Sequence, residues 1–275
     1  MTPKLHFISG LPRSGSTLLS ALLRQNPRFH ASMTSPVGSL VKRMLEAMSE
    51  DSEFSVFITP EQKRALVLSI FSAYYYPQAD KEIIFDTNRV WCSKLSLIHE
   101  LFPTAKVICC VRNIAWIMDS VERLVRRNAF DVSGLFQNPL ERANVYSRTE
   151  ALSQGGRLVG FAYNALKEAF YSEHSHSLLL VEYDLLSQNP EKTLSLIYQF
   201  LEEEPFTHDF ENVQYDEPEF DKRLNTQGLH KVRKKVEFQP RQTVLPPDLF
   251  TKFNNLSFWT ELSNSQANLI VAQPS

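Results

Sequence analysis

Short unbroken apolar runs alternate along the chain with longer stretches whose apolar positions recur every three or four residues. The runs are Leu5–Ser9, Ile83–Phe85 ending at Asp86, Lys106–Val111 and Leu178–Val181. Consecutive apolar side chains point to opposite sides of a strand, so such runs suit strands covered on both faces. The stretches between them read as helices: Ser14 to about Gln25, stopped by Asn26-Pro27; Val37–Met48; Pro60 to about Tyr75, capped by Thr59; Lys94–Leu101, closed by Phe102-Pro103; Ile114 to about Arg127; Ser147–Tyr171, interrupted at Gly155-Gly156; and Pro190–Leu201 behind Asn189. Residues 128–145 read as irregular. From Glu202 the pattern weakens into acidic stretches, a basic run at Lys231–Lys235, and Pro-rich and polar loops.

Strands alternating with helices predict an α/β fold, a three-layer sandwich with a central parallel sheet and helices on both faces. The chain reads as one domain over 1–275, with its core at about 5–201. Residues 202–275 are expected to pack on this core or close over its ligand. Ligands of such sheets sit at the carboxyl ends of strands, so three exits matter: Gly10–Thr17, Asp86–Lys94 and Arg112–Ser120.

Composition sets only bounds. The 275 residues are 43% hydrophobic and 22% charged, with a net charge of −2. That balance gives no global pull toward nucleic acid or an anionic membrane, so any anion site has to be built locally. No run approaches the roughly 18 apolar residues of a membrane span. The first apolar run leads straight into a glycine-bearing turn, so no cleavable leader is expected and the protein reads as cytoplasmic. Cys92, Cys109 and Cys110 lack metal spacing and read as buried reduced thiols, the adjacent pair facing opposite sides. His174 and His176, in a polar turn, carry no metal signature either.

The most informative stretch is Gly10-Leu11-Pro12-Arg13-Ser14-Gly15-Ser16-Thr17, between the first strand and the first helix. Two glycines let the backbone bend around an anion, and the amides at the helix start point at it with the positive end of the helix dipole behind them. The frame fits the ATPase loop G-x-x-x-x-G-K-[ST] except that Ser16 takes the lysine's place and Arg13 carries the cation. The buried strand Lys106–Val111 runs into Arg112 rather than a magnesium-holding acid. Arg112 followed by Ser120, about two helical turns on, can clamp a second phosphate.

With both motifs in view, the chain resembles sulfotransferases that use 3′-phosphoadenosine 5′-phosphosulfate (PAPS). Gly10 through Leu18 is similar to their 5′-phosphosulfate loop, and Val111-Arg112-Asn113 through Ser120 to their 3′-phosphate motif. Leu101-Phe102-Pro103-x-x-Lys106 and Val181-Glu182-Tyr183-x-x-Leu186-x-x-x-Pro190 fit as well. The flavour is that of bacterial relatives of the tyrosylprotein sulfotransferases. The resemblance implies that Arg13, Ser14, Gly15, Ser16, Thr17 and Leu18 hold the 5′ phosphosulfate and that Arg112 and Ser120 hold the 3′ phosphate. It further suggests Phe170 or Tyr171 beside adenine, and Lys231, Arg233 or Arg241 on a loop closing over the nucleotide. The product is adenosine 3′,5′-bisphosphate, no metal is implied, and the acceptor is a hydroxyl or phenol: a peptide or protein tyrosine, a lipid, a sugar or a small phenol.

The catalytic base is open at this level. Thr34 stands where the tyrosylprotein branch carries a glutamate. The remaining candidates are His30, Glu46 and Asp86, with Arg89 polarising the sulfuryl oxygens. Two other readings compete: a kinase-like phosphotransferase, disfavoured by Ser16, and a non-catalytic nucleotide sensor, kept open by the missing glutamate.

Overall fold

The computed structural model describes residues 3–272 apart from 131, 224, 226, 229, 262 and 263. The elements run β1 (Lys4–Gly10), α1 (Ser16–Leu23), β2 (Phe29–Ala31), α2 (Val37–Ala47), α3 (Pro60–Tyr74), β3 (Ile83–Thr87), α4 (Leu95–Leu101), β4 (Val107–Val111) and α5 (Ile114–Arg127). They continue with α6 (Pro139–Arg142), α7 (Val145–Ser153), α8 (Leu158–Phe170), β5 (Leu178–Glu182), α9 (Tyr183–Gln188), α10 (Pro190–Leu201), α11 (Pro218–Arg223), α12 (Pro247–Asn254) and β6 (Asn268–Ile270).

The six strands form one sheet in the order β2-β3-β1-β4-β5-β6, and every pairing is parallel. Alternation along the strands builds two cores. Phe7, Val107 and Cys109 face one layer, with Trp91, Ile117 and Phe170, while Ile8, Ile108 and Cys110 face the other, with Leu22, Ile197 and Tyr198. Cys109 and Cys110 therefore point apart, as their adjacency in a strand demands. The α/β sandwich expected from the pattern is the observed architecture. Its two edge strands, β2 and β6, were not anticipated. Each has three residues, and in β6 only Ile270 is buried, so neither carries the long apolar signature of a central strand.

Local grammar holds at α3. Thr59 Oγ1 accepts the Gln62 amide at 3.3 Å, and Gln62 Oε1 accepts the Thr59 amide at 2.9 Å, a reciprocal capping box. Thr59→Ala is expected to cost about 1 kcal/mol, lowering Tm by roughly 2–4 °C in a thermal melt.

β1 is the switch point of this sheet. The chain leaves it toward β2 and β3 on one side and later returns to β4 on the other. The exits of β1 and β4 lie side by side, with Gly10 in register with Cys110.

Candidate active site

β1 ends at Gly10, which has φ 103°. A Cβ there would stand 2.3 Å from the Cys110 carbonyl oxygen, so the turn approaches β4 more closely than any side chain permits. The Leu11 amide donates to that same carbonyl at 2.8 Å. The Ser14 hydroxyl lies 2.8 Å from it as well and also contacts the Leu11 carbonyl. Ser14 thus fastens the turn to β4. Gly15, at φ 94°, starts α1 without a side-chain cap, and no acid occupies the first turn. The opening amides of Ser16, Thr17 and Leu18 have no partner within the helix, which leaves them to an anion.

Arg13 holds a left-handed φ of 58° and donates from Nε to Ser120 Oγ at 3.1 Å. The arginine of the first loop and the serine of the second motif therefore meet directly, 107 residues apart in the chain. Arg112, just past β4, lays its guanidinium 4.4 Å over the Tyr183 ring, and its Nε sits 3.9 Å from Asp184 Oδ1, too far for a hydrogen bond. Both atoms are buried and lack a hydrogen-bond partner. Arg241 pairs with Asp119 Oδ2 at 2.7 Å and lies 5.5 Å from the Trp116 ring. Burial, with the charges of Arg112 and Arg241, pushes the Arg13 guanidinium down to about 10. Arg112 and Arg241 are lowered as well, chiefly by burial. These cations are crowded around the mouth of β1 and β4 at a cost that an anion would relieve.

Asp119, fully buried, is the counterweight. It accepts Arg123 Nε at 3.0 Å, the Val244 amide at 2.7 Å and Thr243 Oγ1 at 3.1 Å, besides Arg241. The segment 241–244 is thereby tied to α5 one residue before Ser120.

Other residues singled out in the sequence go elsewhere. Asp86 is completely buried. Ser35 Oγ lies 2.8 and 2.9 Å from its two oxygens, Tyr75 OH donates at 2.7 Å and Trp91 Nε1 at 2.7 Å. Burial raises its pKa and these donors pull it back. A carboxylate walled in by three donors has no route to an acceptor's proton, so Asp86 joins the 35–36 loop, the end of α3 and the turn after β3 instead. His30 stands edge-on to Tyr75, and its cationic neighbours, Arg24 and Lys81, lie at the end of α1 and before β3, away from the strand exits. Glu46 is exposed on α2 and pairs with Lys42 at 3.7 Å. Phe170 is 0% exposed in the core, packed on Phe258 and Tyr171, and offers adenine no face. Lys231 is exposed, in a stretch whose Val232 amide bonds the Tyr215 carbonyl. Arg89 lies two residues past the end of β3. It opens a 3₁₀ turn, Arg89–Lys94, capped by Asn88, and its carbonyl accepts Ser9 Oγ at 3.2 Å beside Gly10.

Two features of the site escaped sequence reasoning. Tyr183, within a quoted motif but given no role, wedges between Gly15 and Arg112: a Cβ on Gly15 would be 2.7 Å from Tyr183 Cδ2. His230 and the buried Asp221 form a close pair, Nδ1 to Oδ1 at 2.6 Å, with the charges of Arg13 and Arg89 bearing on the ring. No spacing signal marks that pair, which spans nine residues of weakly patterned chain.

Among the described residues there is no group of three or more His, Cys, Asp or Glu able to hold a metal, and no helix is long and apolar enough to cross a membrane.

A search of curated proteins returned no match. Three solved structures share the fold. The sulfotransferase domain of the Synechococcus PCC 7002 olefin synthase is 19% identical, with TM-score 0.52 over 92% of this chain and 94% of that one. The sulfotransferase domain from the curacin biosynthetic pathway is 16% identical, with TM-score 0.50 over 95% and 94%. A sulfotransferase from Alicyclobacillus acidocaldarius is 14% identical, with TM-score 0.51 over 82% and 90%. The family model described as "Sulfotransferase family" matches residues 6–208, the span that carries the β1 loop, Arg112 and Ser120, and the chain belongs to that family.

Proposed function

We propose that the protein moves a sulfuryl group from PAPS to a hydroxyl or phenol acceptor. The observation that carries this reading is the junction of Arg13, Arg112 and Ser120 at adjacent strand exits, against the uncapped start of α1. The residues fit the nucleotide. The orphaned, buried Nε of Arg112 and the mutually repelling guanidiniums call for a multiply charged anion spanning both motifs.

Bound there, the donor supplies an activated sulfuryl group, whose transfer resembles phosphoryl transfer in leaving the protein mainly positioning and electrostatics to provide. The amides of Ser16, Thr17 and Leu18, with Arg13, would hold the 5′ end and steady the charge that grows on the departing phosphate. Arg112 and Ser120 would hold the 3′ phosphate, and Tyr183 keeps the Arg112 plane fixed by stacking. Arg89 is proposed to face the sulfuryl oxygens. Residues 30–80 and 128–150 are proposed to shape the acceptor side, and a tyrosine-bearing peptide is the acceptor that the branch resemblance favours.

Adenosine 3′,5′-bisphosphate at about 100 times its Kd is expected to stabilise the fold by about 2.7 kcal/mol, raising Tm by roughly 5–10 °C without added magnesium. ADP, lacking the 3′ phosphate, is expected to do less, and Arg112→Ala to erase the difference. Equal shifts by the two nucleotides in the unmodified protein would overturn the 3′-phosphate assignment.

A further inference from the structure

We propose that His230 is the catalytic base, taking the acceptor's hydroxyl proton on Nε2, and that Asp221 is its positioning residue. The assignment rests on the sulfuryl-transfer reading above. It lies outside the family match, which ends at residue 208.

The geometry is that of an oriented imidazole. Asp221 is buried on α11, and its two oxygens both serve His230: Oδ1 lies 2.6 Å from Nδ1, and Oδ2 accepts the His230 backbone amide at 3.0 Å. A carboxylate on Nδ1 places the proton there and leaves the lone pair on Nε2. Nε2 carries no hydrogen bond among the described residues, and the side chain keeps 18% of its surface exposed. The Phe220 ring, edge-on at 5.5 Å, limits how the imidazole can turn. The charges that bear on the ring are those of Asp221 from α11, Arg13 from the first loop and Arg89 from the turn after β3. Those arginines are the ones proposed above to steady the departing phosphate and to face the sulfuryl oxygens, and the proposal sets the ring on that side of the site. Burial and the arginines hold its pKa below the ordinary histidine value against the opposing pull of Asp221, which keeps it neutral and able to accept a proton at pH 7.

The step balances. The acceptor oxygen forms a bond to sulfur, the bond from sulfur to the 5′-phosphate oxygen breaks with its electron pair leaving on that phosphate, and the acceptor proton passes to Nε2 and then to solvent.

Two measurements on the full chain test this. Histidine-detected NMR titration of the free protein is expected to show His230 titrating below about 6.5, higher in Arg13→Ala and lower in Asp221→Asn. With PAPS and a panel of phenols, His230→Ala is expected to lower kcat about 100-fold with KM nearly unchanged, to lose the acidic limb of the rate profile, and to recover with added imidazole. The same variant should keep the stabilisation by adenosine 3′,5′-bisphosphate, which separates loss of the base from loss of the donor site. A His230 titration indifferent to Arg13→Ala, or a His230→Ala enzyme with full rate and an intact acidic limb, would overturn the assignment. Failure of the bisphosphate to stabilise the unmodified protein would instead count against the donor reading, and the titration would still decide whether His230 faces Arg13.

Discussion

Arg13→Ala is expected to yield a folded protein whose transfer rate from PAPS is lower by about 10³-fold, the scale of removing one preorganised charge-stabilising donor. The guanidinium stands at the start of α1, bonded to Ser120 and crowded by Arg112 and Arg241. Its charge is costly to the fold. A base whose pKa falls on folding, here to about 10, is disfavoured in its protonated form at every pH below that value, so neutral pH carries the full penalty. Removing the charge relieves that repulsion and offsets the lost contacts. Differential scanning calorimetry without ligand should therefore find Tm little changed, while the shift with adenosine 3′,5′-bisphosphate collapses. Arg13→Gly sharpens the test. The backbone at φ 58° is strained for alanine and relaxed for glycine, so Arg13→Gly should be the more stable of two equally inactive variants. A large loss of unliganded stability in both would mean that Arg13 serves the fold rather than the reaction.

Gly10→Ala is the second large effect, and it falls on folding. At φ 103°, with the new methyl 2.3 Å from the Cys110 carbonyl oxygen, the substitution combines a disallowed backbone with an overlap between two central strands. Neither strand can retreat, because each is buried and paired on both sides. The expected cost is at least about 3 kcal/mol, or roughly 10 °C in Tm, read by thermal or urea unfolding. If Gly10→Ala folds with unchanged stability, the tight junction between β1 and β4 is not as described.

The central strands were legible because burial on both faces leaves a continuous apolar run, as in Lys106–Val111. The edge strands β2 and β6 were not, since three residues paired on one side leave no periodicity to read. The phosphate-loop grammar is local, so Gly10, Arg13, Ser14 and Gly15 could be read from their order alone, and the strand exits then brought Arg112 and Ser120 beside them. Asp86 and Phe170 misled for one reason. A strand-end acid and a helix-end aromatic look the same in one dimension whether they face a ligand or the interior. Their surroundings, Ser35, Tyr75 and Trp91 for the one and Phe258 for the other, belong to other elements and loops, which only the fold brings together. His230 was invisible for the converse reason, because its partner and its neighbouring charges lie in three separate segments.

The outer pairing of β5 has a consequence during synthesis. Leu179, Leu180 and Val181 find their partners at Asn268, Leu269 and Ile270, so this flank of the sheet stays unsatisfied while nearly ninety intervening residues are made. A nascent chain at that stage displays a flat, greasy strand with open hydrogen-bonding groups, a template for association with other chains. Chaperone dependence and loss to inclusion bodies should therefore concentrate in versions whose Asn268–Ile270 stretch is missing or mispaired.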